Sequence, residues 1–263
     1  MDLFIDIDDT LVSRAYSNVD LTKYQHVKVD DITYVLYPGC IEFLDVIYSI
    51  ADVKIIFYSG GLKDRNEQLI SELLKLTQHV KKDVINILSR DDLIHSTDHI
   101  QPLSTYNGIN NFHGYYKKDL SKYCRNLNST ILIDDSTSYV YKNQEKNLLY
   151  INGNPLSFIM NDSHFIRDRN HLFKAIGILF TVLNMSTLEN INIVDALSAV
   201  QYYDHHKRNF NYSKVGSVAE YYHLGREILR HYNATIDFDL DTNKHEPWIH
   251  NLIDDKLKTY VKK

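Results

Sequence analysis

Apolar positions in the first part of the chain come in short runs, separated by longer stretches with a helical period. Leu3-Phe4-Ile5 is the first run. Residues 53–57, 84–88, 130–133 and 148–151 repeat it, and residues 32–36 form a β-rich segment ending at Pro38-Gly39. Between them, Ile41, Leu44, Ile47 and Tyr48 in residues 40–50, and Leu69, Leu73 and Leu76 in 65–76, have the spacing of one helix face. Strands of this length alternating with helices predict βαβ units and a parallel sheet, an α/β domain over residues 1–155. Beyond Pro155 the strand signal fades. Residues 164–185, 193–203, 215–232 and 246–261 look helical, and no Gly/Ser-rich linker separates the halves. Residues 156–263 are therefore expected to form a helical extension or a small helical domain.

Composition narrows the class. Of 263 residues 44% are hydrophobic and 24% charged, and 9 glycines and 4 prolines exclude collagen-like and low-complexity chains. The net charge of -5 supplies no counterion-releasing surface, so no nucleic-acid partner is expected. Cys40 and Cys124 are too few for a disulfide framework or a zinc site, which points to a reducing compartment and a cytoplasmic location. Met1 leads straight into a strand, so no cleavable secretory signal is expected; export by another signal stays open. The most apolar stretch, residues 171–185, is interrupted by Lys174 and falls short of the roughly 20 residues that cross a bilayer, so it is read as a buried helix.

Four short segments carry candidate chemistry. Asp6-Ile7-Asp8-Asp9-Thr10 follows the first strand, where the chain flares and two carboxylates can converge. One can attack or bind metal while the other handles protons. Ser59-Gly60-Gly61, past another strand, offers a hydroxyl and glycine amides to an anion. Lys118 can neutralise a phosphate and fix a carboxylate. Ile131-Leu132-Ile133-Asp134-Asp135 is an apolar strand ending in two carboxylates, the arrangement of a magnesium site at a sheet's carboxyl edge. Each alone reads as readily as an acidic turn, a glycine turn or a solvated lysine. The four in this order, each at a strand end or helix start, are hard to obtain by chance.

Together these residues resemble the four motifs of the haloacid dehalogenase (HAD) superfamily of phosphotransferases. Residues 118–127 with 131–136, and Leu88-Ser89-Arg90-Asp91-Asp92, resemble its FCP/SCP-like branch of protein phosphatases. The similarity covers about residues 1–152. Two departures stand out: Asp134-Asp135-Ser136-Thr137 replaces the branch's usual Asp-Asn before Ser-Pro, and Ser59-Gly60 resembles the form found in small-molecule members. The resemblance implies a HAD-like Rossmannoid parallel sheet flanked by helices. It also implies two-step phosphoryl transfer, with Asp6 as nucleophile and Asp8 as general acid and base. Ser59, Gly60 and Lys118 would hold phosphate. Mg²⁺, or Mn²⁺, would sit between Asp6, the Asp8 main-chain carbonyl and Asp135, with Asp134 binding through water or holding Lys118.

Room argues for substrate. Too few residues separate the motifs for a large cap, leaving only a small insert around residues 92–115, unless the helical extension folds back as a lid. An uncapped site fits a phosphorylated protein. Tyr58 beside Ser59, with Tyr106, Tyr115 and Tyr116 in the insert, leans the reading to phosphotyrosine, although 20 tyrosines make such neighbours common. Tyr58 and Arg90 are candidate substrate contacts. The branch resemblance points to phosphoserine or phosphothreonine instead. A metabolite phosphatase lidded by the extension, and a catalytically idle phosphate-binding scaffold, compete with the phosphoprotein reading. The extension and the basic end, Lys256, Lys258, Lys262 and Lys263, are candidate surfaces for a partner or an acidic membrane. A secreted effector of an intracellular bacterium is one setting for such a chain. Asp204-His205-His206 lacks further ligands at metal spacing and is read as a helix end.

Overall fold

The computed structural model describes residues 1–15, 21–78, 86–95, 116–151, 170–204, 209–212 and 218–237. In chain order its strands and α-helices are β1 (Asp2–Ile5), β2 (Val12–Arg14), β3 (His26–Val29), β4 (Ile32–Leu36), α1 (Cys40–Ser49), β5 (Lys54–Tyr58), α2 (Lys63–Leu76), β6 (Asn86–Leu88), β7 (Ile94–His95) and β8 (Tyr116–Lys117). Then follow β9 (Thr130–Asp134), β10 (Leu148–Tyr150), α3 (His171–Glu189), α4 (Ile193–Val200), β11 (Gln201–Asp204), β12 (Asn209–Tyr212) and α5 (Val218–Arg230).

The short apolar runs form one five-stranded sheet in the order β10-β9-β1-β5-β6, parallel throughout. The α/β reading of the sequence thus describes the observed architecture. Both faces are covered, so the middle positions of these strands are apolar in succession rather than alternating. Leu3, Ile5, Phe57, Ile131 and Ile133 join α1, α2 and the helical extension in the larger core. Phe4, Ile56, Tyr58, Leu132 and Leu148 point the other way, onto a thinner layer that includes Leu120 and Val140.

The segment at residues 32–36 is a strand, but not of this sheet. β4 pairs antiparallel with β2 and β3 in a separate three-stranded sheet between the first two motifs. β3 shows the cause in its sequence: His26 and Lys28 are exposed, Val27 and Val29 buried, the alternation of a sheet wet on one face. The ends of the small insert also pair, Ile94 opposite Lys117 and His95 opposite Tyr116, while residues 96–115, with Tyr106 and Tyr115, lie outside the described residues.

In the extension, α3 runs to Glu189 and is, by length and composition, apolar enough to cross a membrane. Leu172, Phe173, Ile176 and Leu179 nevertheless belong to the same core as the sheet. α3 and α5 meet backbone to backbone: a Cβ on Gly177 would lie 1.9 Å from the Tyr221 carbonyl oxygen, and one on Gly225 1.8 Å from that of Phe173. The helix expected over 193–203 stops at Val200, and Gln201 begins β11, which pairs with β12. Tyr202 and Tyr203 are β-favouring aromatics, and the Gln201 amide extends the sheet edge: Tyr150 N–H donates to its Oε1 at 2.8 Å, and its Nε2 donates to Tyr150 O at 3.0 Å. The 155/156 boundary, the segment 246–261, His205, His206 and the terminal lysines lie outside the described residues.

Candidate active site

The register of β1 and β9 places the first and fourth motifs side by side. Ile5 lies opposite Ile133, so Asp6 and Asp134 leave adjacent strands at the carboxyl edge, and the Asp6 N–H donates to Ile133 O at 2.9 Å. The chain moves from β1 outward to β5 and β6, then returns to β9 on the other side. Such a reversal of strand order opens a crevice at the strand ends, where α/β folds bind ligands. Past β1 the chain turns tightly. Leu11 N–H donates to Ile7 O at 2.9 Å, and Asp9 takes a left-handed φ of 56° with its carboxylate held by Ser13 Oγ at 2.8 Å. This turn carries Asp8 out of the core and leaves its side chain 44% exposed.

Lys118 sits at the centre, its side chain 1% exposed. Its Nζ donates to Asp6 Oδ1 at 2.5 Å and Asp134 Oδ2 at 2.6 Å. The lysine is fixed from both sides in sequence. Its own N–H donates to Tyr139 O at 2.6 Å, and the next residue, Asp119, accepts from Ser121 N–H at 3.0 Å and Gln144 Nε2 at 2.7 Å. Asp134 Oδ1 accepts from Ser136 N–H at 2.8 Å. Asp134 therefore holds Lys118, one of the two roles expected for it.

Asp6, Asp134 and Asp135 place one carboxylate oxygen each within 4.8 Å of one another. Burial pushes the Asp6 carboxyl up to about 8, with Lys118 opposing and Asp134 and Asp8 adding repulsion. Burial, then repulsion from Asp134 and Asp6, pushes Asp135 up to about 9. Burial disfavours the Lys118 charge too, but Asp134 and Asp6 outweigh it and hold the ammonium above its ordinary range. Three carboxylates against one ammonium leave the pocket short of positive charge, and an all-oxygen donor set suits a hard dication. The residues fit the implied metal. The Asp8 carboxylate is not among them and faces the opposite wall; the resemblance implies only its main-chain carbonyl as a ligand.

The same charges set a pH dependence. A carboxyl raised in the folded state contributes stability that is full below its unfolded value and lost as pH climbs through the folded one. Without divalent cation, the melting temperature should therefore fall by about 5–10 °C between roughly pH 6 and pH 9. Added Mg²⁺ should restore it most at the alkaline end, and Asp135→Asn should flatten the dependence. Thermal melts with and without chelator read this directly.

The opposite wall is built from the second motif. Ser59 Oγ donates to Asp8 Oδ2 at 2.9 Å and accepts the Gly61 N–H at 3.1 Å. Arg65, in the first turn of α2, grips the same carboxylate with two parallel bonds, Nη1 to Oδ1 and Nη2 to Oδ2, both 2.7 Å. Arg90 pins the glycine loop: its Nε donates to Gly60 O at 3.0 Å and its N–H to Gly61 O at 2.9 Å. A Cβ on Gly60 would have the Tyr139 hydroxyl 3.7 Å away, and the Tyr139 ring centroid is 5.4 Å from Lys118 Nζ.

Residues 2–162 match the family model for NLI interacting factor-like phosphatases. The chain belongs to this family of HAD-type phosphatases. No curated protein matches the sequence. Among solved structures it is similar to a variant of the fission yeast RNA polymerase II CTD phosphatase Fcp1 bound to beryllium fluoride. Identity is 19% and the TM-score 0.38, over 61% of this chain and 43% of that one. The chain thus spans less than half the length of that protein.

Within this NLI interacting factor-like phosphatase, Asp6, Lys118, Asp134 and Asp135 gather in one pocket; Ser59 borders it through Asp8, and Gly60 lies beside the Tyr139 hydroxyl. Tyr58 lies behind them, wholly buried, its ring centroid 5.7 Å from Lys118 Nζ and its hydroxyl donating to Asp92 O at 2.8 Å. Strand alternation sends Tyr58 and its neighbours to different faces. Tyr116 lies in the insert ladder, edge-on to His95. Sequence reasoning missed Arg65, Tyr139 and His171. An arginine on an amphipathic helix reads as solvated surface, and nothing marked the other two. His171 is fully buried at the start of α3, where its Nε2–H donates to Thr10 O at 2.7 Å and its ring meets Tyr37 edge-on. The extension thus braces the turn that carries the first motif. Cys40 is sealed in the core, where burial drives its thiol far up, out of nucleophilic range.

Proposed function

We propose that this phosphatase is a divalent-cation-dependent phosphomonoesterase acting on phosphorylated proteins through an aspartyl-phosphate on Asp6, with phosphotyrosine its preferred residue. The observation that carries the reading is the Asp6–Lys118–Asp134 chain beside Asp135, at a crevice whose far wall presents a second, more exposed carboxylate, Asp8. Asp6 Oδ attacks phosphorus, the bond to the leaving oxygen breaks, and that oxygen takes its electron pair and a proton from Asp8. Water then attacks phosphorus and gives a proton to Asp8, the acyl–phosphate bond breaks, and phosphate departs with Asp6 restored. Lys118 offsets negative charge as carboxylate and phosphate approach, and keeps Asp6 aimed. A divalent cation held by Asp6 and Asp135, with Mg²⁺ or Mn²⁺ suited to the oxygen donors, supplies further charge neutralisation at the phosphate.

Support for an aryl substrate comes from Tyr139, half-buried between Lys118 and Gly60, whose ring can stack on a phosphotyrosine for about 0.5–1.5 kcal/mol. Tyr58 lends this preference no support. A cytoplasmic place of action is part of the proposal, as is a partner or membrane role for the extension. Phosphate release from one peptide carrying phosphotyrosine or phosphoserine in the same context, with Mg²⁺ or chelator, tests substrate and cofactor together. The expected result is Mg²⁺-dependent release, faster from phosphotyrosine. Faster release from phosphoserine would reverse the residue preference, and release unaffected by chelator would remove the cation.

A further inference from the structure

The Arg65–Asp8 pair differs from an ordinary surface ion pair. Exposed pairs hold two long side chains at an entropic cost and contribute little. Here Asp8 is 44% exposed but Arg65 only 19%. The guanidinium lies 5.7 Å from the Tyr34 ring centroid, against the small antiparallel sheet. On its other side it lies over Gly61, where a Cβ would be 1.8 Å from Nη2. The arginine is thus confined on both sides by groups other than Asp8. Its planar fork then matches both carboxylate oxygens, and Ser59 Oγ adds a third bond. Three charge-assisted bonds fix this half-exposed side chain against the second-motif wall that borders the crevice.

We propose that Arg65 is the positioning residue of Asp8, holding its carboxylate where it can exchange a proton with the leaving oxygen and so setting how poor a leaving group the enzyme can expel. The inference rests on the reading of Asp8 as general acid and base. Arg65 acts through Asp8 and takes no part in bond-making at phosphorus. Gly61 serves the same end by leaving room for the guanidinium, and Tyr34 links the small sheet to the catalytic carboxylate.

Leaving-group dependence separates positioning from structure and from phosphate binding. p-Nitrophenolate departs without a proton, whereas the serine alkoxide of a phosphoserine peptide needs one. The quantity to compare is kcat/KM, which covers steps only through the first loss of the leaving group. For Arg65→Met in the full chain, kcat/KM should fall about 100-fold on the phosphoserine peptide and no more than about 3-fold on p-nitrophenyl phosphate. Arg65→Lys should recover part of the loss, Gly61→Ala should reproduce the Arg65→Met pattern, and Asp8→Asn should show it more strongly. Equal losses on both substrates would overturn the proposal, showing a contact with the phosphate common to both or a purely structural role. Turnover by the unaltered protein with Asp8→Asn indifferent to leaving group would overturn the parent reading of Asp8. Absence of turnover by the unaltered protein would bring down the phosphatase reading and this inference with it.

Discussion

Lys118→Met should both inactivate the enzyme and destabilise it, by about 3–5 kcal/mol in the absence of metal. The lysine is the one cation bonded to Asp6 and Asp134 among the described residues, and both carboxylates are nearly sealed from water. Removing it leaves buried charge with no partner, which costs far more than an exposed pair would. The carboxylates can escape that cost only by taking up protons. The loss should therefore be smallest near about pH 5 and grow as pH rises. At roughly 2–4 °C per kcal/mol the melting temperature should drop by about 6–20 °C near neutral pH. Lys118→Met combined with Asp134→Asn should regain part of the stability, because one buried carboxylate has gone with the ammonium. It should regain none of the activity, because Asp6 is still without its counter-charge. Melts of the single and double variants check the first statement, and phosphate release the second. Full stability in Lys118→Met would mean that the lysine is not compensating buried charge.

Asp6→Asn should have the largest effect on rate and a small one on stability. An amide oxygen keeps the shape of the carboxylate and can still accept from Lys118 Nζ, but it cannot displace the leaving oxygen from phosphorus. Turnover should fall by at least about 1,000-fold, on aryl and alkyl phosphates alike, since the proposed nucleophile is common to both. The variant also removes one of three crowded acidic groups. Its metal-free melting temperature should be no lower than that of the unaltered protein above about pH 7, where Asp6 would otherwise have to lose its proton in the buried pocket. Inactivity with an undamaged fold separates this residue from Lys118, whose loss costs both.

The parts of the site legible in sequence are those that follow a strand. Asp6, Ser59 and Asp134 each end a run of apolar residues, and parallel strands in register bring such ends to one edge. Lys118 was legible only from the order of the motifs, since a lysine by itself reads as surface. Arg65 was not read because it lies 57 positions from Asp8 and looks like one charged residue on an amphipathic helix. Only folding makes the contact. Tyr58 shows the reverse error: nearness in sequence to Ser59 suggested a shared function, whereas the alternation of β5 buries its ring in the thinner core. The small antiparallel sheet was hidden by the brevity of β2 and β3, and α4 seemed longer than it is because apolar spacing continued into Tyr203 past the strand start at Gln201.

The central claim is that Asp6 becomes phosphorylated during turnover. Borohydride added to the enzyme while it consumes a phosphotyrosine peptide with Mg²⁺ reduces an aspartyl-phosphate to homoserine, which peptide mass spectrometry locates. The expected result is homoserine at residue 6, absent with chelator and absent without substrate. Steady turnover with residue 6 left as aspartate, or homoserine at another position, would contradict it.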